Sequence, residues 1–141
     1  MSTLATKFDW DEAIAEREVK MMDAGKITAK LPAFAAQLEQ RHSPGDWKDV
    51  LAKTRDLLLT MGKDNPLKPE DYRRILQPVL LMVGDRDKMV SLEETVTAFR
   101  SLPAAQMAVL PATPDPIEQA DPEMLAWQLG RCINTVSISV S

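Results

Sequence analysis

Residues 78–90 read PVLLMVGDRDKMV, and this stretch decides the fold class. Its first part, Pro78–Gly84, is an unbroken apolar run between a proline and a glycine. Such a run is typical of a strand that is buried on both faces of a parallel sheet. Ser91 follows, with Glu94 three residues later, and this spacing is the capping-box pattern of a helix start. We therefore expect a helix from about Leu92 to Leu102 after the strand.

A second strand and helix follow in the same order. Gln106–Leu110 (QMAVL) is apolar, and the loop Thr113–Glu123 (TPDPIEQADPE) separates it from a last helix, for which Asp121 is the predicted cap and Pro122 the first residue. A strand–helix–strand–helix order indicates parallel strands joined by a right-handed crossover. The tail Ile133–Ser141 alternates apolar and polar residues, which fits a helix end, an edge strand or a frayed terminus.

The first half of the chain is mainly helical by its pattern. Thr3–Phe8 is a short mixed run that suits a strand. Apolar residues at helical spacing predict four helical segments at about 9–24, 31–41, 47–61 and 71–76. Asp9 and Glu12 form a capping-box pattern for the first of them, and Gly25 and Gly62 are the predicted stops of the first and third.

These patterns divide the chain into three segments. They are a strand-like segment 1–8, a helical region 9–76 and a C-terminal α/β segment 77–141. A parallel sheet of two or three strands leaves unpaired backbone groups at its edges. We therefore expect the open edge to be covered by further strands or by self-association.

Composition excludes several classes of function. Of the 141 residues, 45% are hydrophobic and 27% charged, the balance of a soluble globular protein. The net charge is −4 and the lysines and arginines are scattered, so no nucleic-acid partner is expected. No apolar run approaches the roughly 18 residues of a membrane helix, and the N-terminus lacks a secretory signal pattern.

Cysteine and histidine are scarce, which limits the chemistry. Cys132 is the single cysteine, so an internal disulfide is excluded and a cytoplasmic location is predicted. We expect its side chain to be a small buried apolar group. No cluster has metal-ligand spacing and no glycine-rich phosphate loop is present, so neither a metal nor a cofactor is expected. His42, the single histidine, is expected near a helix end, facing solvent.

Residues 76–129 resemble the C-terminal end of the α/β-hydrolase fold. The matching motifs are PVLLMVGDRDKMV at 78–90, AQMAVLP at 105–111 and TPDPIEQADPE at 113–123. In that family a Gly-x-x-Asp-x-x-Val motif follows strand seven and supplies the acid of a Ser–His–Asp triad. The resemblance gives that role to Asp87. The family's loop after strand eight presents the catalytic histidine, and here Asp115 occupies its place.

The resemblance implies a partial α/β-hydrolase fold, with few parallel strands, flanking helices and a helical cap segment. Thr3–Phe8 would be strand six, and Asp9–Leu67 the cap inserted after it. The chain would then be the C-terminal portion of a serine-hydrolase-like enzyme for a small ester or amide. Its partner would be an N-terminal half that carries the nucleophile.

Two departures from the family pattern predict that this chain alone is inactive. The Gly-x-Ser-x-Gly nucleophile elbow is absent. Asp115 is a poor base at pH 7, since a carboxyl group has a reference pKa of about 3.9. His42 precedes Asp87, whereas the family order is nucleophile, acid and then base, so His42 is not expected to be the catalytic base.

If Asp87 and Asp115 approach each other, like-charge repulsion should raise the pKa of one of the two carboxyl groups or attract a cation.

Two alternatives stay open at this point. One is a catalytically dead, self-associating binding or structural module, and the other is an unrelated small α/β interaction domain. Trp10, Trp47 and Met61, at helical spacing, fit either packing within the cap or the lining of a substrate pocket.

Overall fold

The computed structural model describes residues 1–115 and 117–138. These residues form two compact units. The sheet unit contains residues 1–9 and the described part of 67–141, and the helical unit is Trp10–Pro66. The elements in chain order are β1 (Ser2–Leu4), α1 (Glu12–Val19), α2 (Ala24–Lys30), α3 (Pro32–His42), α4 (Trp47–Lys63), α5 (Pro69–Tyr72), β2 (Val79–Gly84), α6 (Leu92–Ser101), β3 (Ala105–Leu110), a 3-10 turn (Ile117–Gln119) and α7 (Pro122–Ile138).

The three described strands form a parallel sheet in the order β1-β2-β3, as the sequence predicted for its C-terminal segment. Met82, in the middle strand, pairs with Leu4 on one side and Ala108 on the other. The predicted strand Thr3–Phe8 is wrong in its extent, because β1 ends at Leu4. Ala5 has a φ of 50°, a left-handed conformation that takes the chain out of the strand.

Helices of the sheet unit cover both faces of β2, all six residues of which are buried. On one face the side chains of Val79 and Leu81 contact α6, with Phe8 and Tyr72 packed beside them. On the other face Leu80 and Met82 form a cluster with Ala108 and with Cys132 of α7. Cys132 is thus a buried apolar packing residue, as predicted. The sheet therefore has a core on each face that its own chain supplies.

The predicted starts of α6 and α7 are confirmed. Ser91 Oγ accepts from Glu94 N at 3.1 Å, and the Glu94 carboxylate accepts from Ser91 N at 3.2 Å. Asp121 caps α7 by accepting from Glu123 N at 2.9 Å. The tail is helical as far as Ile138, and residues 139–141 of the predicted tail lie outside the described residues.

Three local predictions for the helical unit are wrong. The first cap is Asp11 rather than Asp9, because its Oδ1 accepts from Ile14 N at 2.7 Å. Gly25 does not end a helix, since Asp23 caps a new helix, α2, that contains it. Gly62 lies inside α4, where a Cβ atom would stand 2.6 Å from Ala15 Cβ in α1. Its small size therefore allows α1 and α4 to pack closely.

The short helix predicted at 71–76 is α5, which begins earlier, at Pro69, and ends at Tyr72. It contacts α6 and belongs to the sheet unit, so the helical unit ends at Pro66. None of the helices in residues 1–115 and 117–138 is both long and apolar enough to cross a membrane.

Candidate functional site

Two loops meet at one edge of the sheet. The first follows Gly84, the last residue of β2, and the second follows Leu110, the last residue of β3. Because β2 and β3 are neighbouring parallel strands, their carboxyl ends lie at the same edge. In open α/β sheets this edge is where ligands bind. Asp87 is in the first loop and Asp115 in the second.

Backbone groups hold the two loops together. Asp85 N donates to Leu110 O at 3.1 Å, and Arg86 N donates to Thr113 O at 3.2 Å. Thr113 N in turn donates to Asp85 Oδ1 at 3.3 Å. Gly84 permits this approach, because a Cβ atom there would collide with the carbonyl oxygen of Thr113. The second loop is therefore fixed against the first.

The backbone of the second loop is also strained where it leaves β3. Ala112 has a φ of 53°, a left-handed conformation that costs roughly 1–2 kcal/mol for a residue with a Cβ atom. The next residue, Thr113, is buried and makes the contacts to Asp85 and Arg86. The contacts between the loops thus offset a local conformational cost, as often occurs at functional sites.

The Asp87 carboxylate is oriented by its own loop. Oδ1 accepts from Met89 N at 2.8 Å and from Val90 N at 2.9 Å. Asp87 is half-buried, and its Oδ2 accepts no hydrogen bond from the described part of the chain. One carboxylate oxygen is therefore fixed and the other is available to accept from a further donor. This arrangement suits a group that orients an imidazole.

Asp115 stands at the exposed tip of the second loop. Reduced hydration raises the pKa of its carboxyl group, and the negative charges of Asp87 and then Glu118 raise it further. The charge of Asp87 therefore acts on the carboxyl group of Asp115. Among the residues that the structure describes, no three potential ligands are grouped to hold a metal ion.

A buried ion pair supports the first loop from the side of β1. Lys7 Nζ donates to Met89 O at 3.0 Å and to Glu94 Oε2 at 2.9 Å. Glu94 Oε1 also accepts from Phe8 N at 3.0 Å. Burial by itself raises the pKa of Glu94, but hydrogen bonds from Lys7, Phe8 N and Ser91 N outweigh it, so the pKa is lowered.

The sequence pattern indicates Glu94 only as a helix cap and does not indicate its ion pair with Lys7. The capping-box spacing shows only the local contact with Ser91. The partner Lys7 is 87 residues away along the chain, and nothing near it in the sequence indicates an ion pair. The long-range donors to this carboxylate, Lys7 Nζ on Oε2 and Phe8 N on Oε1, could only be found in the folded chain.

The remaining candidates lie in the helical unit. His42 is the last residue of α3, where a basic side chain is favoured, but it is half-buried rather than fully solvent-facing. Trp47 is buried at 3% exposure, which fits packing within the helical unit. Trp10 and Met61 are half-buried.

The fold is similar to that of two solved enzymes. An esterase from Thermogutta terrifontis, determined with malate bound, is 19% identical with a TM-score of 0.59, and the match covers 96% of this chain and 55% of that one. BpoC from Mycobacterium tuberculosis, assigned as a non-heme bromoperoxidase, is 18% identical with a TM-score of 0.62, and the match covers 96% of this chain and 57% of that one. Both are α/β-hydrolase enzymes. Neither a family model nor a curated protein matches the sequence.

These similarities establish the fold. The chain has a partial α/β-hydrolase fold and spans just over half the length of the structures that it matches. The resemblance that the motifs of 76–129 indicated is confirmed at the level of the fold.

Proposed function

We propose that this chain is the C-terminal portion of a capped α/β-hydrolase and is inactive by itself. It would supply the cap and the acid loop to an N-terminal half that carries the nucleophile. The observation that supports this most strongly is the pair of loops held together at the carboxyl ends of β2 and β3. In this proposal Asp87 takes the role of the triad acid and Asp115 the position of the histidine.

The chemistry of the two carboxylates supports the predicted inactivity. A serine hydroxyl is a weak nucleophile until an imidazole removes its proton. Asp87 could orient such an imidazole through its available Oδ2. Asp115 cannot replace the imidazole, because a carboxyl group is a weaker base than imidazole even when its pKa is raised. The negative charge of Asp87 also repels the Asp115 carboxylate, whereas it would attract an imidazolium ion. Loss of a triad member typically costs several powers of ten in rate.

The proposed substrate is a small ester or amide that reacts through an acyl-enzyme. The esterase among the structural neighbours supports an ester. The helical unit, in the role of a cap, exposes Leu31, Phe34, Val50 and Leu57. Exposed apolar side chains such as these suit contact with a substrate or with the completing half. A cytoplasmic location stays a prediction from the single cysteine.

Complementation tests this proposal. The chain is co-expressed with an N-terminal α/β-hydrolase half that carries Gly-x-Ser-x-Gly, and co-purification shows assembly. The complex is then assayed with p-nitrophenyl acetate, with and without Asp115→His. We expect activity to rise above background only with the substitution, and Asp87→Asn added to it to reduce the gain. An assembled Asp115→His complex as inactive as its parent would contradict the proposal.

A second candidate function is a self-associating binding or structural module without catalysis. It is favoured by the two cores that cover both faces of the sheet, since they allow the chain to fold alone. In the described residues, β1 and β3 each keep one unpaired edge, which a second copy could cover. Sedimentation velocity over a range of concentrations tests this candidate. A monomer at every concentration would exclude it.

A further inference from the structure

A cavity of about 480 Å³ lies within the helical unit. Its walls come from the end of α1, the turn that leads into α2, the start of α2 and the first half of α4. Small-molecule sites typically have volumes of about 300–1,000 Å³, so the cavity is large enough for a ligand. Neither Asp87 nor Asp115 lines it, and it belongs to a different unit of the chain.

The lining of the cavity carries more positive than negative side chains, although the chain as a whole is acidic. Its lining contains four cationic side chains, from Lys20, Lys26, Lys48 and Arg55. Asp23 is its one carboxylate among the described residues. Four positive groups against one negative group leave an excess of three positive charges, in a protein whose net charge is −4. A local excess of one sign attracts ligands of the opposite sign.

The single carboxylate is already occupied by contacts at the start of α2. Asp23 Oδ1 accepts from Lys26 N at 2.9 Å, and Oδ2 lies 3.5 Å from Lys26 Nζ. The hydrogen bond from Lys26 N, with the charge of Lys26, lowers the pKa of Asp23, so it stays ionised and bound to that lysine. Within the described chain, no carboxylate lies at ion-pair distance from Lys20, Lys48 or Arg55.

The rest of the lining is largely apolar. Lys48, Leu51 and Arg55 stand on one face of α4, and Met22 and Val19 face the same cavity from the other wall. The combination is an apolar wall beside two cationic groups that lie seven residues, or about two helical turns, apart, with Leu51 between them. An arginine and a lysine in this arrangement can both bond to the oxygens of one carboxylate.

We propose that this cavity binds a small organic carboxylate with an apolar body, at a site separate from the Asp87 and Asp115 loops. Lys48 and Arg55 would bind the carboxylate, and Leu51 and Met22 would contact the apolar part. Lys20 would add positive charge at the cavity. The inference does not depend on the function proposed above, because it concerns only residues of the helical unit.

Benzoate is the probe that tests this inference, with benzyl alcohol as the neutral control of similar shape. Amide chemical shifts of the full chain are followed by NMR as each compound is added. We expect benzoate to shift the amides of the cavity lining, with a millimolar dissociation constant that weakens as salt is added. Benzyl alcohol should cause smaller shifts at the same concentrations.

Charge reversal on α4 provides the matched variants. Arg55→Glu and Lys48→Glu should each weaken benzoate binding by about tenfold or more, since each removes a charge-assisted hydrogen bond. Lys53→Glu reverses an exposed charge of the same helix that does not line the cavity, so it should change the affinity little. Equal weakening by Lys53→Glu would assign the effect to net charge and overturn the inference. So would the absence of benzoate binding to the unmodified chain.

Discussion

At the residue scale, the two loop aspartates differ in how the chain holds them. Asp87 has one oxygen fixed by two backbone N–H groups, whereas Asp115 stands at an exposed loop tip. The Asp87 carboxylate can thus accept from a donor in a set direction. In the function proposed above, Asp115 occupies the position of the histidine that would be that donor.

Asp87→Asn should lower the pKa of Asp115. The Asp87 charge is one of the causes that raise this pKa, and the substitution removes that charge. Part of the increase should persist, because reduced hydration and Glu118 still act on the group. Carbon-13 NMR of the Asp115 carboxyl group over a pH titration measures the change. Glu93→Gln, which alters an exposed carboxylate of α6, is the control that should leave the pKa unaltered.

Glu94→Gln should destabilise the chain by about 1–3 kcal/mol at pH 7, because it removes a buried charge that Lys7 and two backbone N–H groups contact. The pKa of Glu94 is lower in the folded chain than its ordinary value of 4.5. Its stabilising effect is therefore complete above pH 4.5 and declines as the pH falls through the folded value.

Urea unfolding at several pH values, with Glu93→Gln as the matched control, measures this effect. Glu93 is the exposed neighbour of Glu94 in the first turn of the same helix. Its substitution should change the free energy of unfolding by less than about 0.5 kcal/mol. Equal effects of the two substitutions would show that the contacts of Glu94 with Lys7 do not stabilise the chain.

At the element scale, contacts between neighbouring helices and loops determine features that local sequence patterns do not show. The strand β2, the capping box of α6 and the start of α7 were predictable, because each is encoded by residues close together in the chain. Gly62 has the local pattern of a helix stop, and α4 ends one residue later, at Lys63. The local pattern does not show that α1 packs against Gly62. The contact of Thr113 with Asp85 likewise joins two loops that sequence patterns describe only separately.

Gly84→Ala and Gly130→Ala should have opposite effects on stability. A Cβ atom at Gly84 meets the carbonyl oxygen of Thr113, whereas nothing lies within 4 Å of one at Gly130. We expect the first substitution to cost about 1–3 kcal/mol or more, because the loops must move apart. The second should stabilise α7 by roughly 0.5–1 kcal/mol. Thermal unfolding compares them, and a Gly84→Ala chain as stable as the parent would contradict the close contact of the loops.

At the scale of the whole molecule, the chain has two compact units and a sheet with a core on each face. The sequence predicted the open edges of a short parallel sheet. It did not show that α5 and α6 on one face and α7 on the other already cover the middle strand, β2, since that depends on distant contacts. The middle strand is therefore shielded from solvent on both faces, although the sheet has only three described strands.

We accordingly expect the isolated chain to be folded and catalytically silent. Circular dichroism should show cooperative thermal unfolding, because β2 is buried on both faces. Hydrolysis of p-nitrophenyl acetate should stay at the buffer rate, and Asp115→His alone should not raise it, because the Gly-x-Ser-x-Gly elbow is absent. Serine-dependent turnover by the isolated chain would contradict this expectation.

The central claim is that the loop after β3 holds Asp115 where a histidine would reach Asp87. The most direct test is the pKa of the imidazole introduced by Asp115→His, measured by proton NMR in a chain that also carries His42→Gln. The account predicts that this pKa falls with Asp87→Asn, and falls more than with Glu118→Gln, because the Asp87 charge favours the imidazolium form. An imidazole pKa unchanged by Asp87→Asn would contradict it.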